Sequence, residues 1–159
     1  MIAFTGNDGA NVELAIKARD HARLIKPRVR ELKIHIHHHQ FVILSPLAEG
    51  SDRLVAKLVM RVLNAPLQVP LPLPYDLYVA DFRDNESIEE FKTLVGKAEY
   101  YYEMPMKFGN IRELAHIDYS EGNQARNHQY ALVGAYVAQR SDELIALWDG
   151  LGGTAQIVR

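Results

Sequence analysis

The chain has 159 residues, of which 48% are hydrophobic and 24% are charged, as is ordinary for one soluble globular domain with a sizeable core. It contains no cysteine, which excludes disulfides and thiolate chemistry, and no apolar run of about 18 residues that could span a membrane. The net charge of −2 argues against a nucleic-acid binder, because such proteins usually carry a basic excess. Met1–Gly6 lacks the features of a signal peptide, so we expect a cytoplasmic protein.

The first quarter of the chain begins with a strand. Ile2–Phe4 is a short apolar strand, and Thr5–Gly9 follows it as a polar glycine loop. Asn11 can cap the helix that comes next. Residues 28–38 either continue helically or include a strand, since Lys33–His37 also alternates between polar and apolar residues.

The second quarter predicts a strand, a helix and another strand. Phe41–Leu44 is the apolar strand, and Ser45–Asp52 is its exit loop. Apolar residues then recur at spacings of three and four, which predicts a helix that Asn64–Pro66 stops. Leu67–Leu71 is predicted as a third strand that is broken by Pro70.

The third quarter contains less regular signals. Tyr75–Asp84 is predicted as a loop or a short turn. Ser87 is predicted to cap a helix over 88–97, because Glu90 stands at the capping-box offset. Glu99–Glu103 is predicted as a fourth strand, with three consecutive tyrosines.

The last quarter ends on a strand and a glycine turn. Residues 104–120 are predicted as a surface loop, and Glu121–Arg140 as a long helix. Leu144–Trp148 is a short apolar run, typical of a strand that is covered on both faces. Asp149 breaks the run, and Gly152–Thr154 opens a segment with helical character.

The alternation of strands and helices predicts one α/β domain over residues 1–159. We expect three layers, right-handed crossovers and a mostly parallel sheet of about five strands. The sequence ends at Arg159, about a turn and a half into its last helix, whereas a parallel domain normally completes such a helix. We therefore expect a fragment of a longer chain, with a natural end as the alternative.

Three polar loops follow strand ends, at Thr5–Asn7, Ser45–Asp52 and Asp149–Thr154. If the strands are parallel, all three loops lie at one edge of the sheet, where open α/β sheets bind ligands. Glycine lets a ligand approach the backbone, and a helix start directs N–H groups and a positive dipole end at it. The pattern favours a phosphate or nucleotide site. The alternative for the last loop is a tight turn that needs glycine for backbone reasons alone.

Several side chains in these loops have two interpretations. Ser51 and Asp52 stand where a helix begins, which favours capping, and Asp52 could also bind a ribose hydroxyl. Glu49 is either a sugar contact or a solvated carboxylate. Three arginines could add positive charge, and the sequence does not choose among them: Arg53, Arg112 and Arg126.

Two segments resemble known families. Leu44–Ala56 resembles the SGxAxGxDxxA segment of the DprA/Smf proteins, and Leu147–Gln156 resembles the PGGxGTxxE segment of the LOG ("lonely guy") phosphoribohydrolases. Both families belong to the SLOG superfamily, a Rossmann-like group. Leu71–Phe82 is similar to the LPLPxxxYxxDF segment of SLOG domains of unknown role in bacteria. The matches are spread over most of the chain.

The resemblance implies a Rossmann-like domain that binds or senses a nucleotide or nucleotide derivative, without a cofactor, and it suggests a homodimer. Tyr78 and Asp81 would border the pocket, or serve as a packing anchor and a loop-capping carboxylate. The ligand-binding residues predicted from the loops and the resemblance together are Thr5, Gly6, Ala48, Glu49, Gly50, Ser51, Asp52, Asp149, Gly152, Gly153 and Thr154.

The chain departs from the hydrolases at the catalytic position. LOG hydrolases use a glutamate three residues after the threonine, where this chain has Ile157, and related domains often have one at the position of Gln156. Glutamine cannot act as a general base, so no catalytic residue is assigned. A LOG-like N-glycosidase, the first alternative, would need another carboxylate such as Glu49 or Asp52. A DprA-like binder of single-stranded nucleic acid is the second alternative, and the acidic balance argues against it.

Two further clusters invite a functional interpretation. His35 and His39 stand four residues apart among further histidines and could bind a metal on a helix. No nearby carboxylate or cysteine completes a ligand set, so we predict no metal site but a solvated helix end or a subunit contact. Tyr100–Tyr102 could stack bases, although without a basic neighbourhood we favour packing or an interface.

Overall fold

A computed structural model of the chain describes residues 2–6, 23, 25–27, 29–31, 41–82, 84–115 and 124–147. The strands in this part form one parallel sheet in the order β4-β3-β2-β1-β5. The domain is therefore α/β with a parallel sheet, as the alternation predicts. The strands are β1 (Ile2–Gly6), β2 (Ile43–Leu44), β3 (Leu67–Leu71), β4 (Tyr100–Glu103) and β5 (Glu143–Leu147).

Helices connect the strands from β2 onward. None of the helices in the described residues is both long and apolar enough to cross a bilayer. Residues 25–27 and 29–31 are helical as well, while most of the helix predicted after Asn11 lies outside the described residues. The helices with printed bounds are α1 (Ser51–Leu63), α2 (Tyr75–Val79), α3 (Asn85–Val95), α4 (Ile111–Ala115) and α5 (Gln124–Arg140).

Helices pack on both faces of the sheet. Successive side chains of a strand point to opposite faces. Ile43 of β2 belongs to the same buried cluster as Val55 of α1, whereas its neighbour Leu44 belongs to a cluster with Val133 and Val137 of α5. The chain adds β2, β3 and β4 in turn on one side of β1 and then returns to add β5 on the other side. The strand order thus reverses at β1 and β5.

Pro70 does not break β3, contrary to the prediction from the sequence. The strand continues to Leu71, which pairs with Glu103 of β4. A proline inside a sheet removes a hydrogen-bond donor from the ladder. On the other side of β3, however, the pairing with β2 ends at Leu44, whose partner is Gln68. Pro70 lies past this last pair, so the missing N–H leaves no acceptor of β2 unpaired.

The cap of helix α3 was predicted one turn too late. Asp84 is the N-cap, and its Oδ1 accepts a hydrogen bond of 2.8 Å from the backbone N–H of Ser87. Ser87 is therefore inside the helix, and the capping-box assignment of Glu90 is wrong. Both Asp and Ser are good N-cap residues, so a sequence with both in one turn leaves the choice to tertiary contacts.

Two short helices occur where loops were predicted. Helix α2 occupies the start of the segment Tyr75–Asp84, and α4 lies within residues 104–120. Asn110 caps α4, since its Oδ1 accepts the N–H of Glu113 at 3.2 Å while Glu113 Oε2 accepts the N–H of Asn110 at 3.0 Å. This reciprocal pair is a capping box, and its spacing was readable in the sequence.

Strand β5 is less covered than predicted. In the described sheet β5 is an edge strand, and Leu144 is 40% exposed. The prediction of a strand covered on both faces is therefore wrong at Leu144. An apolar run marks burial of a strand in general but does not distinguish a central strand from an edge strand.

Replacement by alanine is expected to change the free energy of unfolding in opposite directions at Gly109 and Gly134. Gly109 has φ +71°, and a Cβ there would lie 2.8 Å from Ala125 Cβ, whereas a Cβ on Gly134 of α5 would meet no atom within 4 Å. We expect Gly109→Ala to lower the free energy of unfolding by about 1–3 kcal/mol, and Gly134→Ala to raise it by about 0.5–1 kcal/mol. Urea unfolding followed by circular dichroism measures both, and a shift of the same sign in both variants would contradict this expectation.

Candidate functional site

The parallel strands bring the exits of the predicted loops to one edge of the sheet. Gly6 at the end of β1 is in register with Leu147 at the end of β5, and Ala3 of β1 pairs with Leu44 at the end of β2. Strands β1 and β5 therefore leave the sheet side by side, where the strand order reverses. Asp149, Gly152, Gly153 and Thr154 lie outside the described residues, as does the side chain of Thr5.

The loop from β2 to α1, residues 45–50, has an unusual backbone. Leu47 has φ +58°, and Gly50 has φ +87° with ψ −118°. The second conformation is readily accessible only to glycine. Among the described residues, no atom would lie within 4 Å of a Cβ on Gly50. The backbone conformation, and not a close neighbour in the described part of the chain, therefore requires glycine here.

Helix α1 begins differently from the prediction. Gly50 is its N-cap residue and makes no side-chain cap, so the assignment of Ser51 or Asp52 as the cap is wrong. Both residues lie inside the first turn of the helix. Asp52 is only 2% exposed, at the end of the helix where the dipole favours a negative charge. Ser51 Oγ is buried and has no hydrogen-bond partner among the described residues.

Arg53 connects the loop to helix α3. It is 1% exposed, and its Nε donates a hydrogen bond of 2.9 Å to the carbonyl oxygen of Leu47. Its Nη1 donates to the carbonyl oxygen of Ser87 at 2.7 Å and to Ser87 Oγ at 2.8 Å. The guanidinium also lies 4.3 Å from the ring centroid of Phe82 and 5.6 Å from that of Phe91. Arg53, a candidate for binding an anionic ligand, thus connects the loop 45–50 to helix α3 and to the ring of Phe82.

Acidic side chains surround this arginine. Ser87 Oγ donates to the carboxylate of Glu49, so the interpretation of Glu49 as merely solvated is wrong. Glu90 accepts from Arg53 at 3.3 Å and forms an ion pair with Lys57. Burial raises the pKa of Glu90, but the hydrogen bonds and positive charges of Lys57 and Arg53 outweigh it and hold the pKa below its ordinary value of 4.5. Glu90 therefore stays ionised, and the network links α1, the loop and α3.

Tyr78 is a packing anchor of the same region. It is 1% exposed, and its hydroxyl donates a hydrogen bond of 3.1 Å to the carbonyl oxygen of Pro46 in the loop. Its ring centroid lies 5.1 Å from that of Phe82 and 5.6 Å from that of Phe91. These contacts favour the structural interpretation of Tyr78, because they fix the loop from inside.

Asp81 joins the end of α2 to helix α5. Its carboxylate forms an ion pair with Arg126 and accepts a hydrogen bond from the hydroxyl of Tyr130. Arg126 also donates to the carbonyl oxygen of Leu114. The side chain of Arg126 is 8% exposed and that of Asp81 is 22% exposed. Asp81 therefore connects the segment after α2 to helix α5. Of the three candidate arginines, Arg53 and Arg126 make buried hydrogen bonds within the protein.

An acidic depression of about 560 Å³ lies beside the network. Its four carboxylates would repel a phosphate, so it does not extend the predicted anion site. No group of three metal-ligating side chains occurs among the described residues, and the histidine cluster at His35–His39 lies outside them. The depression is lined by Asp84, Glu86, Ser87, Glu89, Glu90 and Thr93.

Comparison of the chain with protein-family models gives no match, and comparison with curated proteins gives none either. The functional interpretation therefore depends on the motifs in the sequence and on the geometry at the carboxyl edge of the sheet. The sequence reasoning missed Ser87, which accepts from Arg53 and donates to Glu49. A serine at the start of a helix gives no signal for such a role, because capping explains it equally well.

Proposed function

We propose that this chain is a Rossmann-like module of the SLOG type that binds a nucleotide or nucleotide derivative and acts as a sensor or regulatory domain of a larger system. The observation that carries the proposal is the side-by-side exit of β1 and β5, with Gly6 in register with Leu147. Open α/β sheets bind ligands where the strand order reverses, outside the carboxyl ends of the strands. The predicted glycine turn Gly152–Thr154 follows β5 closely in the sequence.

The proposed pocket would hold a phosphate by backbone groups. The turn Gly152–Thr154 would supply N–H groups, as would the first turn of α1, whose N-cap makes no side-chain bond. Glu49 is half-buried while Asp52 is 2% exposed, so Glu49 is the carboxylate that a sugar hydroxyl would reach from solvent. A carboxylate accepts several hydrogen bonds, so the bond from Ser87 leaves acceptor capacity.

The test is thermal protection by a panel of nucleotides. AMP and ADP-ribose are the main probes, and inorganic phosphate and free ribose are the fragments. A ligand that binds only the folded state at 100 times its Kd stabilises by about 2.7 kcal/mol. For a chain of this size we expect Tm to rise by roughly 5–10 °C. A flat response to every nucleotide would sink the proposal.

A matched pair of variants locates the binding. Gly153→Asp places a negative charge on the predicted phosphate turn, and Gly134→Asp makes the same change on α5, where a Cβ meets no atom within 4 Å. We expect the first variant to lose the Tm increase and the second to keep it, because a carboxylate repels a phosphate. Equal loss in both would place the ligand elsewhere.

Hydrolysis is a distinct outcome of the same experiment. Gln156 and Ile157 stand where a working glutamate is expected, so we expect AMP to be bound without release of adenine. Release of free base that disappears in Glu49→Gln would assign the LOG-like N-glycosidase instead. A salt-sensitive shift of single-stranded DNA would assign the DprA-like alternative.

A further inference from the structure

We propose that strand β4 is a docking surface for a second copy of this chain, which pairs with it antiparallel and continues the sheet across a two-fold axis. Strand β4 is at one edge of the described sheet, and the outer backbone groups of an edge strand are a template for pairing with another strand. Exposed apolar side chains, outward-facing backbone groups and a self-complementary register favour a second copy as the partner.

Exposed apolar side chains are concentrated in β4 and in the segment that follows it in the sequence. Among the described residues six large hydrophobic side chains are exposed, and only Leu144 is outside β4 and the segment that follows it. Tyr100 and Tyr101 in the strand are 48% and 47% exposed. Tyr100 and Tyr101 point to opposite faces of the strand, so apolar surface is exposed on both faces of this edge and a partner can cover it. The exposed apolar side chains of the strand and of the segment after it are Tyr100, Tyr101, Met106, Phe108 and Ile111.

Among the described strands, only β3 pairs with the backbone of β4, on one side of it. Met104 directly after the strand donates its N–H to the carbonyl oxygen of Leu71 at 2.8 Å. Backbone groups of successive residues in a strand point to alternate sides. Tyr102 therefore faces β3 as Met104 does, and Tyr101 and Glu103 direct their N–H and C=O groups away from the sheet. These four groups are the hydrogen-bonding surface that a further strand would need.

The strand lacks the usual protection against edge pairing. Natural edge strands are often guarded by lysine, proline or charges that point outward. Tyr100–Glu103 contains no lysine, arginine or proline. Each of the two acidic side chains at its ends is held by one carboxylate oxygen, because Glu99 Oε2 accepts from Gln68 at 3.1 Å and Glu103 Oε1 accepts from the N–H of Tyr75 at 2.8 Å. Glu103 keeps acceptor capacity for a partner.

The segment after the strand is fixed in place. Gln129 of α5 is completely buried and donates a hydrogen bond of 2.8 Å to the carbonyl oxygen of Pro105. The ring centroid of Phe108 lies 5.0 Å from that of His128 on the same helix. Association therefore does not have to order this segment, which lowers the entropic cost of binding.

The register of the pairing follows from which groups face outward. With the two-fold axis at Tyr102, Tyr101 lies opposite Glu103 of the partner subunit, and all the outward backbone groups of the two residues form hydrogen bonds. Tyr101 and Glu103 are on the same face of the strand, so the tyrosine hydroxyl can reach the opposite carboxylate. The same surface serves both subunits, which is the geometry of a closed dimer.

The test measures the mass of the chain in solution by light scattering over a range of concentrations. We expect a mass that rises with concentration to about twice the 18.0 kDa of the monomer. Tyr101→Glu places a carboxylate opposite Glu103 of the partner subunit, and the repulsion between these like charges is expected to halve the mass. Leu144→Glu makes the same kind of change at the opposite edge of the described sheet, where Leu144 is 40% exposed, and is expected to leave the mass unchanged.

Single cysteines test the register, because the natural sequence has none. At the axis the two Cα atoms of residue 102 lie about 4.5 Å apart, within the range of a disulfide. Tyr102→Cys is therefore expected to form a dimer that survives denaturation without reductant, and Tyr101→Cys is not. A wild-type chain that stays monomeric, or a dimer lost in Leu144→Glu and kept in Tyr101→Glu, would overturn the proposal.

Discussion

Arg53→Ala is expected to lower the free energy of unfolding by about 3–5 kcal/mol, among the largest effects of any single substitution in this domain. The reason is the number of groups that this buried side chain holds. It is 1% exposed, and it bonds Leu47 in the loop and Ser87 in α3. Equilibrium unfolding in urea, followed by circular dichroism, measures the loss as a shift of the midpoint.

Removing the guanidinium has three separate costs. The carbonyl oxygens of Leu47 and Ser87 lose a charged donor inside the protein, which costs more than an exposed hydrogen bond. The contact with the ring of Phe82, at 4.3 Å from its centroid, disappears. The volume of the side chain becomes a cavity between α1 and α3.

Arg61→Ala is the matched control, because Arg61 lies exposed in the last turn of the same helix. We expect this variant to change the free energy of unfolding by no more than about 0.5 kcal/mol. Arg53→Lys should fall between the two, since lysine keeps the charge but lacks the planar fork of donors. Similar losses for Arg53→Ala and Arg61→Ala would show that the network around Arg53 does not stabilise the fold.

The surroundings of Arg53 show which features of the fold can be predicted from the sequence and which cannot. The apolar runs near Ile43 and Leu67 predict β2 and β3, because burial of a strand depends on its own residues. The periodicity of α1 likewise predicts that helix. Which element faces Arg53 depends on the packing of α3 against α1, and no local pattern encodes that.

The same limit explains the two wrong capping assignments. Glu90 stands three residues after Ser87, as in a capping box, but in the structure it pairs with Lys57 and Arg53 of another helix. Ser51 is a good capping residue, yet Gly50 takes the cap position because its left-handed backbone turns the chain into α1. Long-range ion pairs determine the role of Glu90, and backbone geometry determines the N-cap of α1. Neither can be read from a single sequence.

The proposed site is predictable to a similar extent. Strand ends followed by glycine loops indicate the edge of the sheet where a ligand would lie, and the parallel pairing of β1 with β5 is consistent with that indication. The side chains are less predictable. Asp52 was predicted to cap α1, with a ribose contact as a second role, but it lies inside the first turn of α1 and is 2% exposed.

Asp81→Ala is expected to lower the free energy of unfolding by about 3 kcal/mol, because it breaks the ion pair between this carboxylate and the buried guanidinium of Arg126. The hydroxyl of Tyr130 loses its acceptor in the same step. Asp76→Ala is the control, since Asp76 is an exposed carboxylate in α2, and we expect a change within about 0.5 kcal/mol. Urea unfolding of the two variants side by side gives the difference.

A double variant separates the ion pair from other effects of the substitution. If the loss in Asp81→Ala arises from breaking the ion pair with Arg126, adding Arg126→Met should cost far less than Arg126→Met costs in the wild type. Additive losses would mean that the two side chains stabilise the domain independently. Unchanged stability in Asp81→Ala, combined with a weaker Tm response to nucleotide, would instead assign Asp81 to the border of the proposed pocket.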